Sequence, residues 1–338
     1  DPRRSETAEL ADEHVFVRPG TDALVLFAML HTIFEEGLVR LGHVEAHVKG
    51  LETLRAATRD FAPAKVAPIT GVPAETIVRI AREYAKSSKG VAYGRVGVSM
   101  QEFGGISCWL LEAMNVVTGH FDREGGAMFT TPAIDLVKLG SLMGERGHHG
   151  KFRSRVRGAP EFGGELPVAV LAEEIETPGP GRIRAMITHA GNPVLSTPNG
   201  RRLDEAFAKL DYMVSIDIYL NETTRHANLI LPPTFALEHD HYDVAFHALA
   251  VRNTAKYFPA LFARTAEQRH DWEILLELVA RLGDGNRRVH PLVRQLRTLV
   301  GRNLEPKRLG DVLMRLGPHG LRKGAAGLTM AKFEESVH

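Results

Sequence analysis

The sequence predicts an α/β fold, and three neighbouring segments support that prediction. Residues 182–189 (RIRAMITH) have the β-branched and apolar content of a buried strand, and Asn192 with the proline after it ends the strand. Residues 212–216 (YMVSI) predict a second strand, with Asp217 at its carboxyl end. Between them, apolar residues recur at helical spacing: Leu203, Ala206, Phe207 and Leu210.

This strand–loop–helix–strand order predicts a ligand site. In a parallel α/β sheet, ligands bind outside the carboxyl ends of adjacent strands, so Asn192 and Asp217 should lie on one rim. A carboxylate there can accept hydrogen bonds from both ribose hydroxyls, or from the paired N–H donors on the edge of guanine. The alternative is that Asp217 only begins a turn.

Upstream, a turn at residues 19–22 (PGTD) leads into a helix predicted over residues 23–37. Thr21 or Asp22 could cap this helix and leave its first backbone N–H groups for an anion, or capping could be their whole role. Residues 73–86 (PAETIVRIAREYAK) predict an amphipathic helix that is structural only.

Residues 91–94 (VAYG) predict a short strand, followed by a glycine-rich stretch over residues 95–105. Glycines allow the backbone to approach a ligand or another helix closely. The next helix, over residues 106–117, contains Cys108, which we expect to pack as a small apolar residue. A single cysteine excludes an internal disulfide and an all-cysteine metal cluster within the chain.

Composition limits the class of protein further. The 338 residues are 44% hydrophobic, enough for a large core divided between two domains. A net charge of +1 gives no reason to expect nucleic acid as a partner, and no apolar run is long enough to span a membrane.

Two polar segments permit more than one interpretation. The segment 132–176 reads as a long glycine-rich loop, either solvated or functional; its basic and histidine residues include His148, His149, Arg153, Arg155 and Arg157. Further on, His239, His241 and Asp243 would share one face of an extended strand and could hold Zn²⁺ or Mn²⁺.

The run 216–238 (IDIYLNETTRHANLILPPTFALE) resembles the molybdopterin oxidoreductases of the dimethyl sulfoxide reductase family, which includes formate dehydrogenases and nitrate reductases. That family shows an acid at the strand end, an E-T pair, an A-D-x-x-L-P motif and a downstream Glu. Its D-P-R and R-P-G-T-D-A blocks resemble residues 1–8 and 18–23. The resemblance covers residues 1 to about 283, although Asn228 replaces the usual Asp and His241 stands where glycine is common.

The resemblance implies two Rossmann-like dinucleotide-binding lobes, the first incomplete at its N-terminus. Residues 1–177 would belong to the first lobe, 178–283 would form the second, and 284–338 would be a basic helical tail. Apolar spacing predicts two helices in the tail, one from Leu292, Leu296, Leu299 and Val300 and the other from Val312, Leu313 and Leu316. The chain would then be an internal portion of a longer enzyme, without the N-terminal iron–sulfur segment and the C-terminal dinucleotide-binding domain.

In the resembled family each lobe holds one molybdopterin guanine dinucleotide, and the two share a molybdenum or tungsten ion. Carried over to this sequence, the resemblance assigns cofactor contacts to Asp1, Gly20, Thr21, Asp22, Val96, Met100, Asn192, Ile216, Asp217, His239 and Asp271. The metal ligand would lie upstream, so no residue of this chain would bind the metal. A 4Fe-4S cluster would serve the full protein without ligands from this chain.

The function implied is two-electron redox of a small substrate, with electrons passing to a partner subunit or domain, in the cytoplasm. The fragment alone should be inactive. Two alternatives remain open: a molybdenum-free scaffold related to the large iron–sulfur subunit of respiratory complex I, and a metallohydrolase built on the His239 cluster.

Overall fold

The computed structural model describes residues 1–145, 147–284, 305–321, 324 and 326–335. The chain forms two compact units, Asp1–Phe129 and Thr130–His338. The predicted lobe boundary at residue 177 stays a prediction.

The first unit is built from helices around a central one, α2. The helices are α1 (Glu6–Leu10), α2 (Asp22–Glu35), α3 (Leu51–Thr58), α4 (Pro63–Thr70), α5 (Ala74–Lys86), α6 (Val96–Ser99) and α7 (Gly104–Val117), with a 3₁₀ turn at Gly42–His47. Leu30 and Ile33 of α2 are fully buried and pack with Ala81 of α5 and with Leu110 and Met114 of α7. This unit therefore has an apolar helical core.

The amphipathic helix predicted over residues 73–86 is confirmed as α5. Ile77, Ala81 and Ala85 recur every four residues and are its buried positions, so burial of one face accounts for the helix. The helix predicted from residue 106 is also present but begins two residues earlier, at Gly104.

The strand predicted at residues 91–94 is wrong, because this segment is irregular backbone. Asn115 of α7 takes the place of a neighbouring strand. Its Oδ1 accepts a hydrogen bond from the Ala92 amide at 2.8 Å, and its Nδ2 donates to the Ala92 carbonyl at 3.0 Å. A buried side chain thus satisfies the backbone groups that a sheet would otherwise pair.

The second unit contains a parallel three-stranded sheet in the order β3–β4–β5. Its strands are β3 (Ala185–His189), β4 (Tyr212–Ile216) and β5 (Leu229–Ile230). β3 pairs with β4 from Ala185 opposite Tyr212 to His189 opposite Ile216. The predicted second strand is confirmed with its bounds, whereas the first is shorter than predicted.

Helices α10 (Pro193–Ser196) and α11 (Gly200–Phe207) connect β3 to β4. The predicted helix is confirmed as α11, which ends before Leu210. Leu203, Ala206 and Phe207 of α11 pack with Met213 of β4 and with Ile175 of α9 (Leu171–Glu176). This cluster is the core beneath one face of the sheet, and it fixes the position of the loops at the sheet's carboxyl edge.

The segment 132–176 is not a long loop. It contains α8 (Leu136–Leu142), a hairpin of β1 (His149–Arg153) with β2 (Pro160–Phe162), a 3₁₀ turn at Val168–Val170 and α9. Polar contacts organise the hairpin: His148 lies 2.5 Å from the fully buried Glu161, and Arg157 forms an ion pair with Glu173 at 2.8 Å.

Beyond the sheet, β6 (His241–Tyr242) pairs antiparallel with β7 (Tyr257–Phe258), followed by α12 (Asp271–Asp284), α13 (Pro306–Leu316) and α14 (Met330–Glu335). The helix predicted from Val312, Leu313 and Leu316 is confirmed as α13. The helix predicted from Leu292, Leu296, Leu299 and Val300 lies outside the described residues. Among the helices that the structure describes, none has the length and apolarity needed to cross a bilayer.

Candidate cofactor-binding site

The carboxyl ends of β3 and β4 place the predicted residues of the second unit along one edge. His189 and Ile216 are paired end residues, and the Ala190 amide donates to the Ile216 carbonyl at 2.9 Å. Asn192 lies three residues after the end of β3, and Asp217 directly follows β4. The structure therefore brings Asn192, Ile216 and Asp217 together, as the strand order required. Because Ile216 is fully buried, its backbone and not its side chain lies at the edge.

The loop after β3 has an open approach to its backbone. Ala190 adopts a left-handed conformation with φ of 49°, which turns the chain out of the strand. A Cβ added to Gly191 would meet only the His189 carbonyl oxygen, at 3.6 Å. Within the part of the chain that the structure describes, the amides of Gly191 and Asn192 donate to no protein acceptor. Two unpaired donors next to open space can receive an anionic group.

Asn192 is held by the loop that follows β4. Its Nδ2 donates to Glu222 Oε2 at 2.8 Å, and its Oδ1 accepts from Thr223 Oγ1 at 2.7 Å. The hydrogen bond from Asn192 lowers the pKa of Glu222 below its ordinary value, so the carboxyl stays ionised at neutral pH.

Asp217 is buried, with 9% of its surface exposed, and its carboxylate begins a turn. Oδ1 accepts from the Tyr219 amide at 2.9 Å, whereas Oδ2 has only a long contact of 3.5 Å with Asn221 Nδ2. The turn that we considered as an alternative is present. It engages one oxygen fully and leaves the second with hydrogen-bonding capacity.

Asp271 and His239 reach the same edge from distant segments. Asp271, the first residue of α12, lies 3.1 Å from His189 at the end of β3. The ring of His239 meets that of His270 edge to face at 6.2 Å, and His270 in turn stacks on Trp272. Helix α12 begins at Asp271, and the carbonyl of His270, the residue before it, accepts the amide of Ile274.

In the first unit, two predicted segments meet through Gln101. Its Nε2 donates to Asp22 Oδ2 at 3.0 Å and to the Gly97 carbonyl, within α6, at 3.1 Å. Val96 and Met100, at either end of this short helical segment, are 64% and 75% exposed. The structure thus joins Asp22 to the segment that contains Val96 and Met100.

Gly20 and Thr21 shape the turn before α2. Gly20 has φ of 82°, and no atom lies within 4 Å of a Cβ added there. Thr21 Oγ1 donates to the Arg18 carbonyl at 2.7 Å, so neither Thr21 nor Asp22 caps the helix through its side chain. Thr21 still occupies the N-cap position of α2, and the contact of Thr21 or Asp22 with a cofactor stays a prediction.

Asp1 is exposed and bonded locally. Its Oδ1 accepts the Arg3 amide at 2.9 Å, and its backbone contacts Val15 and His14. No hydrogen bond between described residues joins it to Asp22 or Gln101. Its assignment as a cofactor contact stays a prediction.

The His239 cluster is not assembled as a metal site. His239 Nδ1 contacts the Asp240 carbonyl, Asp240 accepts from Tyr257, and Asp243 accepts the Phe246 amide. Across the described ranges, with their gaps at 146, 285–304 and in the tail, no group of three or more His, Cys, Asp or Glu side chains could hold a metal ion. Cys108 is a free, partly buried thiol.

Sequence reasoning did not assign Glu222, Thr223, Gln101 or His189 to the site. The E-T pair was visible as part of the family pattern, which was the available signal for Glu222 and Thr223. Gln101 and His189 had no local signal, because their partners are 79 and 82 positions away.

Comparison with known proteins identifies the family. The family model "Molybdopterin oxidoreductase" matches residues 1–281. The assimilatory nitrate reductase catalytic subunit of Bacillus subtilis is 26% identical over 302 residues, covering 84% of this chain and 41% of that protein. Formate dehydrogenase H of Escherichia coli is 27% identical over 294 residues, covering 84% and 40%.

The thiosulfate reductase molybdopterin-containing subunit of Salmonella typhimurium is 29% identical over 311 residues, covering 84% of this chain and 39% of that protein. Among solved structures, acetylene hydratase from Pelobacter acetylenicus shares the fold with a TM-score of 0.69 at 21% identity, covering 84% of this chain and 42% of its own. The chain spans about two fifths of the length of these curated relatives. With its matched segment and its mixed α/β fold, the chain belongs to the molybdopterin oxidoreductase family.

Proposed function

We propose that this chain holds molybdopterin guanine dinucleotide as part of a molybdenum or tungsten oxidoreductase acting on a small substrate. The observation that carries the proposal is the meeting of Asn192, Asp217 and Asp271 at one carboxyl edge of the sheet in a chain of this family. Ligands bind at such edges in parallel α/β sheets.

The residues of the second unit fit a dinucleotide. Gly191 and Asn192 offer two backbone amides for the negative charge of a pyrophosphate, and Asp217 Oδ2 offers an acceptor for the N–H groups of guanine. The loop amides therefore match the pyrophosphate of the ligand, and the Asp217 carboxylate matches its guanine. Asp271 would contribute a second carboxylate, oriented by His189.

The first unit provides a second, separate set of polar groups for the ligand. Gln101 gives both Nε2 hydrogens to acceptors, and its buried Oε1 has no protein donor among the described residues. A flipped amide would place Oε1 against the Asp22 carboxylate and the Gly97 carbonyl, so the partners fix the orientation. An unpaired buried acceptor calls for a donor from outside the protein or from water.

The bound cofactor would supply the redox chemistry, and the protein would supply placement and electrostatics. This chain's part is to bind the nucleotide ends, to orient the loops that hold them and to limit the access of water. A 4Fe-4S cluster in the full protein, an electron-transfer partner and a cytoplasmic location complete the proposal.

The test is cofactor analysis of the purified full-length protein. Molybdenum or tungsten should be present with about two guanine nucleotides and two pterins per metal. Pterin without metal would indicate that the metal was incompletely inserted into the cofactor. The absence of metal, pterin and guanine nucleotide together, in cells that load a control enzyme of the family, would favour the noncatalytic scaffold instead.

A further inference from the structure

The Asn192 side chain is already engaged by the protein on both sides of its amide. Thr223 Oγ1 accepts the Val194 amide at 3.2 Å, so its own hydrogen is directed to Asn192 Oδ1 at 2.7 Å. Glu222 is an ionised acceptor and therefore requires the Nδ2 donor, at 2.8 Å. These partners fix the orientation of the amide.

The loop after β4 is itself braced. Asn221 Oδ1 accepts the amides of Thr223 and Thr224 at 2.9 and 3.0 Å, and Thr223 is fully buried. The Asn221 amide donates to Thr224 Oγ1 at 2.8 Å. This hydrogen-bonded segment therefore holds the Asn192 loop through the adjacent side chains of Glu222 and Thr223.

We propose that Glu222 and Thr223 are positioning residues, and that Asn192 acts on the ligand through its loop backbone and not through its side chain. This inference rests on the proposed function for the identity of the ligand. The side chain turns inward to Glu222 and Thr223, and the amides of Gly191 and Asn192 are left to meet the pyrophosphate.

Exchanging the charge between the two positions tests the proposal. Asn192→Asp places two carboxylates at the 2.8 Å contact and should disorder the loop. In Asn192→Asp/Glu222→Gln, the Gln amide can donate to the Asp, so the contact is restored with donor and acceptor reversed. Close pairs of this kind couple by up to about a hundredfold.

Two measurements on the full protein distinguish the outcomes. Hydrogen exchange of the peptide spanning residues 189–196 reports loop order with or without cofactor. Bound guanine nucleotide per protein reports the consequence. We expect faster exchange and about tenfold less nucleotide for Asn192→Asp, and recovery of both in the double variant.

A direct ligand contact by the Asn192 side chain gives a different pattern. The double variant would then recover loop protection but not nucleotide, since the Asp would repel pyrophosphate, and this would overturn the proposal. Unrecovered loop protection would overturn it as well. If wild-type protein carries no guanine nucleotide, the proposed function fails, and loop exchange alone decides the positioning role.

Variants at Thr223 supply a second test. Thr223→Val removes the hydroxyl that bridges Val194 and Asn192, whereas Thr223→Ser keeps it, so Ser should restore both measurements. Thr188→Val is the matched control, because Thr188 makes a similar hydroxyl contact of 2.8 Å with Ser215 in the same sheet. If Thr188→Val and Thr223→Val lose loop protection and bound nucleotide to the same extent, Thr223 has a purely structural role.

Discussion

Asp271 contacts His189 across 82 positions of sequence, with 3.1 Å between Oδ2 and Nε2. The contact joins the first residue of α12 to the last residue of β3. Both side chains are substantially exposed, so such a pair adds less than about 1 kcal/mol to stability. Its consequence is positional: it holds a carboxylate at the same edge as Asn192 and Asp217.

Replacing Asp217 tests the guanosine assignment. Asp217→Ala should lower guanine nucleotide content, because losing a charge-assisted contact costs about 1.5–3 kcal/mol, or roughly tenfold to a hundredfold in affinity. Asp217→Asn is the control for the turn, since its amide oxygen can still accept the Tyr219 amide. Wild-type nucleotide content in both variants would leave Asp217 with the turn alone.

The core beneath the sheet should dominate the stability of the second unit. Phe207 is 2% exposed and packs in the cluster with Met213 and Ile175. Phe207→Ala should cost about 3–5 kcal/mol in urea unfolding, and Phe207→Leu much less, since Leu fills more of the cavity. A loss below about 1 kcal/mol for the Ala variant would contradict this packing.

The ionisation of Tyr242 should make the unfolding free energy depend on pH in the alkaline range. Burial, with a smaller contribution from Asp243, raises the pKa of Tyr242 from 10.0 to about 12. Because the folded pKa is the higher one, the neutral phenol favours the fold. That stabilisation is complete below pH 10 and is lost as pH rises towards 12. Because Phe cannot ionise, the unfolding free energy of wild type should fall relative to that of Tyr242→Phe over this window, whereas Tyr219→Phe, at an exposed position, should track wild type throughout.

Removing metal ions should leave the His239 region unchanged. His239 and Asp243 contact different groups and His241 is paired with Phe258 in the β6–β7 ladder, so a chelator should change the unfolding free energy by less than about 1 kcal/mol. Thermal melts with and without chelator check this, alongside His241→Ala. A large chelator-dependent shift that the substitution abolishes would restore the metallohydrolase hypothesis.

Local patterns in the sequence determined the elements whose causes are local. The strand at Tyr212–Ile216 was predicted with its bounds, because its β-branched and apolar residues lie between clear breaks in the pattern. Helix α5 followed from its apolar period. The family also followed from sequence, since its motifs at residues 1–8 and 216–238 are contiguous, and the match over residues 1–281 confirmed it.

Tertiary structure decided the features that depend on a distant partner. Residues 91–94 have the composition of a strand, yet Asn115 satisfies the Ala92 backbone from a helix. The contact of Asn192 with the ligand stays a prediction, and the structure adds that its side chain donates to Glu222, thirty positions later. The chemistry of a side chain determines which groups it can hydrogen-bond to. Only the path of the folded chain brings one of several suitable partners within about 3 Å.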